Sequence, residues 1–136
     1  MIGKLTNTRS ARGFTLLELL IVMSIIIILA TVGLPQYQRM MQHARETVLR
    51  DDLHQLRKAL DQYGADKGKL PQSLSELADG GYMREVPVDP MTKSKDTWTT
   101  TQAEPDPNNP ASQVGIYSVK SGSDRTALDG TRYADW

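Results

Sequence analysis

Polar and apolar positions change rhythm twice along this chain. From Phe14 to Leu34 they hardly alternate: 21 residues are apolar except Thr15, Glu18, Ser24 and Thr31, with Gly33 near the end and Pro35 directly after. At about 1.5 Å per residue such a helix covers roughly 30 Å, the depth of one hydrocarbon core. The run predicts a transmembrane helix over 14–35, and the sequence holds no second one. An ordinary secretory signal fits less well, since its apolar core is about 7–15 residues and ends in a small-residue cleavage site. Ala30-Thr31-Val32 is a poor site of that kind.

Beyond Pro35 the pattern becomes amphipathic. Proline removes one rung of the helical ladder, so a kink is expected there rather than an end. Tyr37, Met41, Ala44 and Val48, then Leu49, Leu53, Leu56, Leu60 and Tyr63, recur at helical spacing, with Arg45, Glu46, Arg50, Asp51, Asp52, Arg57, Lys58 and Asp61 mostly elsewhere. That stripe predicts a core-facing side over 36–63. The whole helix, Phe14 to Tyr63, would be about 50 residues and roughly 75 Å long, half in lipid and half amphipathic.

From Gly64 to the end the rhythm shortens. Gly64, Gly68 and Pro71 predict the helix stop. Ser73-Leu74-Ser75-Glu76 has capping-box spacing and predicts a short helix with Leu74 and Leu77 inward, closed by Gly80-Gly81. Val86-Pro87-Val88-Asp89-Pro90 must be extended, because each proline pushes its predecessor out of the helical region. Thr97–Thr101 and Ile116–Val119 read as strands, separated by the proline-rich loop Ala103–Gln113. The tail, Ser121 to Trp136, is mostly turn chemistry.

Charge orients the anchor. Lys4, Arg9 and Arg12 precede the apolar run and no acidic residue occurs among the first 13 positions, so the positive-inside bias keeps the N-terminus cytoplasmic. Sixteen basic residues balance 16 acidic ones overall; without residues 1–13 the balance becomes about −3, which offers no nucleic-acid surface. Mean hydropathy is −0.42 despite the span, so the remainder is distinctly polar. There is no cysteine to staple a domain of about one hundred residues, which leaves a metal or neighbours in an assembly for that role.

Chemistry for catalysis is lacking. His43 and His54 are 11 positions apart on one helix, about 16 Å, too far to share a metal. No thiol, catalytic serine motif or phosphate loop occurs, and we read the chain as non-enzymatic. One intramembrane acid stands out. Glu18 lies one turn into the apolar segment, where a carboxylate costs roughly 2.5–3.5 kcal/mol at mid-membrane and calls for a partner, unless it reaches water at the interface or is protonated.

The junction Arg12-Gly13-Phe14-Thr15-Leu16-Leu17-Glu18, with Pro35 after the apolar run, resembles the prepilin signature of type IV pilins and of the pseudopilins of type II secretion. The resemblance implies that a prepilin peptidase cuts after Gly13 and methylates the new amine on Phe14. It also implies that Glu18 faces the amine of a neighbouring subunit during filament assembly. Residues 1–13 would then be a basic leader. Further along, Tyr63…Asp66-Lys67-Gly68-Lys69-Leu70-Pro71, Gly81-Tyr82 and Pro87-Val88-Asp89-Pro90 follow the order of the major pseudopilin family of type II secretion, with Leu70 in place of an aromatic and Met91-Thr92 in place of Trp-Gly.

The fold so implied is α+β: the long N-terminal helix, transmembrane then amphipathic, on a small antiparallel sheet within 64–136, a pilin-like lollipop. The implied function is a non-catalytic subunit of a periplasmic pseudopilus anchored in the bacterial inner membrane. Its implied partners are copies of itself, minor pseudopilins, the prepilin peptidase and an assembly platform with its ATPase. A type IV pilin of a surface fibre is the alternative, and an anchored periplasmic binding or enzyme domain with an uncut leader is a third reading. The acidic tail adds a cofactor expectation. Calcium takes six to eight oxygens at about 2.3–2.6 Å, the family's corresponding loop binds it, and Asp124, Asp129 and Asp135 are the residues available. Arg125, directly after Asp124, would repel a cation if it turned inward, and a solvated acidic turn is the competing reading.

Overall fold

A computed structural model describes residues 3, 13, 15–109 and 114–136. The chain is α+β, with helix α1 (Leu16–Lys67), short helix α2 (Ser75–Asp79), strands β1 (Thr99–Ala103) and β2 (Gly115–Lys120), and a closing 3-10 turn (Tyr133–Asp135). It divides into two compact units, the first through Gln38 and the second Arg39–Trp136.

The first unit is the apolar stretch of α1. Every side chain from Leu16 to Gln38 is exposed, including Ile25, Ile26, Ile27, Ile28 and Leu29. With a mean hydropathy of 2.7 over its most apolar window, α1 is the one helix among the described residues long and apolar enough to cross a membrane. Leucine and isoleucine exposed over this length have water as the least favourable surroundings, at about 25 cal/mol per Å² of apolar surface. Pro35 lies inside the helix.

In the second unit α1 supplies one wall of the core through Leu49, Leu53, Leu56, Ala59, Leu60 and Tyr63. Leu77 from α2, Trp98, Ile116 and Val119 of β2, Ala127 and Tyr133 complete it. Burying each such leucine contributes about 1.5–3 kcal/mol. The predicted stripe holds from Leu49 onward but not before it. Tyr37, Met41 and Val48 are exposed, and the helix face that continues Leu49 toward the N-terminus carries Glu46 and half-buried Gln42. Glu46 precedes Leu49 by three residues and Gln42 precedes Glu46 by four, so helical geometry places these polar residues over the fold.

Several boundaries differ from the sequence reading. The helix runs past Tyr63 and through Gly64 to Lys67, since one helical glycine costs only about 1 kcal/mol. Gly68, at φ +66°, is the real stop, because only glycine enters the left-handed region at no steric cost. At α2 the capping box does not form. The Ser73 hydroxyl pairs with that of Ser75 at 2.8 Å, and Glu76 instead accepts the Tyr63 hydroxyl at 3.0 Å. Strand β1 starts at Thr99 rather than Thr97, because Trp98 turns into the core and donates its indole N–H to Pro87 O at 2.8 Å. β1 and β2 pair antiparallel, with Thr99 opposite Lys120, Ala103 opposite Gly115 and a bulge between Thr101 and Gln102.

Buried Asp89, in the Pro87–Pro90 segment, ties that segment to the end of β2. It accepts the Ser121 hydroxyl at 2.7 Å, the Met91 amide at 2.8 Å and the Gly122 amide at 3.3 Å. Asp52 of α1 feels this charge. Partial burial, then Asp51 and Asp89, push its carboxyl above the ordinary value.

Candidate functional site

Two places carry the residues singled out from sequence: the start of α1 and the tail. At the start, Gly13 is exposed, and a Cβ built on it meets no atom within 4 Å. Phe14 lies outside the described residues. Thr15 caps the helix, its Oγ1 accepting the Glu18 amide at 3.2 Å and its carbonyl the Leu19 amide at 3.1 Å. Glu18 is therefore the third residue of α1, exposed, in a first turn whose free N–H groups favour a negative charge. Sequence reading missed this cap. Its signal was present as the Thr-x-x-Glu spacing of Thr15 and Glu18, the same spacing credited to Ser73 and Glu76, where no cap forms.

The tail is held on α1 by polar side chains. Buried Glu46 accepts the Tyr133 hydroxyl at 2.7 Å and the Leu128 amide at 2.8 Å through one oxygen. Gln42 donates to Tyr133 Oη at 3.0 Å and to Thr126 O at 3.3 Å. Arg57 donates to Val119 O at 3.1 Å and to the main-chain oxygen of Trp136. Burial, with the Glu46 contact beside it, raises the Tyr133 hydroxyl above its ordinary value, against the pull of Gln42 and Arg125. None of these residues was singled out in the sequence, where Glu46 and Arg57 read as solvated charges on the polar side of a helix.

The three tail acids are not brought together. Asp129 Oδ1 accepts both the amide and the hydroxyl of Thr131, at 3.0 and 2.6 Å, while Oδ2 lies 3.7 Å from Arg50. The Thr131 contacts first, and then Arg50, hold its carboxyl below the usual value. Asp135 places both oxygens against Arg132, at 3.3 and 3.4 Å. Asp124 is exposed and within electrostatic range of the same Arg132. Among the described residues no group of three or more acid or histidine side chains is placed to hold a metal. Calcium needs its oxygens to converge, and the side chains of Asp124, Asp129 and Asp135 form no such group among the described residues. Arginines lie against two of the three, Arg50 beside Asp129 and Arg132 beside Asp135. His43 and His54 are both exposed, and His54 borders an open groove of about 440 Å³ with Arg50, Arg57 and Trp136.

Comparison with known proteins bears on the start of α1 and on the chain as a whole. Residues 8–34 match the model of the prokaryotic N-terminal methylation motif. The chain is similar to the type II secretion system core protein G of Pseudomonas aeruginosa, 33% identical over 98 residues that cover 60% of this chain and 69% of that protein. The protein of the same name from Klebsiella pneumoniae is 34% identical over 95 residues, 58% of this chain and 68% of its own length. That of Escherichia coli K12 is 31% identical over 99 residues, 61% and 68%. No solved structure matches.

Proposed function

The chain belongs to the family of type II secretion system core protein G, and from that premise we propose that it is the major, non-catalytic subunit of an inner-membrane pseudopilus that drives protein secretion. The observation that carries this reading is the methylation motif over residues 8–34, laid directly on the exposed apolar start of α1 with Glu18 in its first turn. Processing after Gly13 leaves a chain that begins with the membrane helix. The N-terminus then faces the cytoplasm, on the strength of Lys4, Arg9 and Arg12, and the unit from Arg39 onward faces the periplasm.

Assembly needs a reason for subunits to leave the bilayer in register. Two unit charges 4 Å apart interact by about 4 kcal/mol at an effective dielectric of 20, so the Glu18 carboxylate and a neighbour's Phe14 amine would select one another strongly. Desolvation takes back much of that gain, which makes the pair a device for register more than for stability. Minor pseudopilins, a prepilin peptidase and an ATP-driven platform are the partners this role requires. Complementation tests it. In a secreting host that lacks its own core protein G, the wild-type chain should restore export of folded cargo. Glu18→Ala should insert in the membrane at normal levels yet fail to restore export. Export by Glu18→Ala at the wild-type rate would sink the pairing.

A further inference from the structure

The tail poses a question that the filament reading does not answer: what holds it. Four side chains close a circuit there. The Arg50 guanidinium lies 4.3 Å from the centroid of the Trp136 ring, over its face, and 3.7 Å from Asp129 Oδ2. Asp129 Oδ1 accepts the Thr131 hydroxyl at 2.6 Å. Thr131 Oγ1 in turn accepts the Trp136 indole N–H at 2.7 Å. Arginine, aspartate, threonine and tryptophan thus form a ring of contacts in which every polar atom used has its proper partner.

We infer that the tail of this chain is locked on α1 by the Arg50–Asp129–Thr131–Trp136 circuit, with the Arg50 guanidinium as its resident cation, and that it needs no metal ion. The inference goes beyond the filament role and does not depend on it. A guanidinium is planar, permanently charged and weakly hydrated, so it satisfies an aromatic face and a carboxylate together, which calcium does not do. A dication near Asp129 would also meet the charge of Arg50. Tyr133 packs edge-on against Trp136 at 5.1 Å and so couples the circuit to the Glu46 contact beneath it.

Hydrogen exchange of the full-length chain in detergent tests this, read by mass on peptides spanning 122–136. Exchange of these peptides and the melting temperature should be the same in millimolar calcium and in chelator. Arg50→Met should speed tail exchange by about tenfold or more, the sum of a stacked cation and an ion pair, while peptides over Leu53–Leu60 stay protected. Thr131→Val, which leaves both charges in place, should speed it in the same direction. The inference is overturned if calcium slows wild-type tail exchange and chelator reverses this, or if neither variant changes it. Should Arg50→Met fail to fold, the wild-type comparison and Thr131→Val decide alone.

Discussion

Single residues fix this fold at points where the chain has no slack. Gly122 is the sharpest. Its amide reaches Asp89, and a Cβ built there would lie 1.9 Å from Thr97 O. That oxygen is backbone and cannot swing aside, so Gly122→Ala should lower unfolding free energy by about 1–3 kcal/mol, the range for overpacking, or more. A denaturant melt checks this, and an unchanged midpoint would mean that the β2 end does not abut Thr97. Ser-Gly-Ser reads in the sequence as a flexible turn, and nothing local announces a crossing strand of backbone. Glu18 is the opposite case. An acid in an apolar run is conspicuous in the sequence, while its cap was not. Ser73 and Thr15 precede a glutamate at the same spacing, but Glu76 finds the Tyr63 hydroxyl and leaves Ser73 to its neighbour. Spacing permits a cap, and competing partners decide whether it forms.

At the scale of elements, α1 presents two stripes to the second unit, and only one was readable. Leu49, Leu53, Leu56 and Leu60 stand out by periodicity and do form the core wall. Beside them Gln42, Glu46, Arg50 and Arg57 form a polar stripe that holds the tail. Charged residues on an amphipathic helix read as solvated, and their partners lie more than sixty positions away, beyond the reach of any local pattern. The same distance explains the calcium expectation. Three acids in a short turn look convergent in one dimension, but arginines from α1 and from the tail itself take two of them, Asp129 and Asp135. A pH dependence follows from the stripe. The Tyr133 hydroxyl is raised above its ordinary value near 10 by burial and by Glu46, so its neutral form is the one the fold holds. A raised value means stability that is full below about pH 10 and lost as pH climbs through the folded value. Tail exchange should therefore accelerate in strong alkali in the wild type. Tyr133→Phe should remove that inflection while Tyr63 and Tyr82 still titrate; an identical alkaline profile in the two proteins would contradict the assignment.

At the scale of the whole molecule, the chain joins an apolar helix long enough to cross a membrane to a small, cysteine-free unit held by one leucine wall and one polar stripe. Membership of the core protein G family and the methylation motif over 8–34 give that combination its role. The α+β architecture was legible because a 21-residue apolar run and a stripe of leucines are long-period signals. The edges of elements were less so, since Gly64 sits inside a helix that tertiary packing sustains as far as Gly68. Everything in the proposed role follows from one processing event at the junction of Gly13 and Phe14. Intact-mass analysis of the chain, purified from membranes of a host with an active prepilin peptidase, tests that event directly. The predicted mass is that of residues 14–136 plus one methyl group, with Gly13→Val left at the precursor mass. A wild-type chain that retains Met1, or one cut beyond Leu34, would contradict the account.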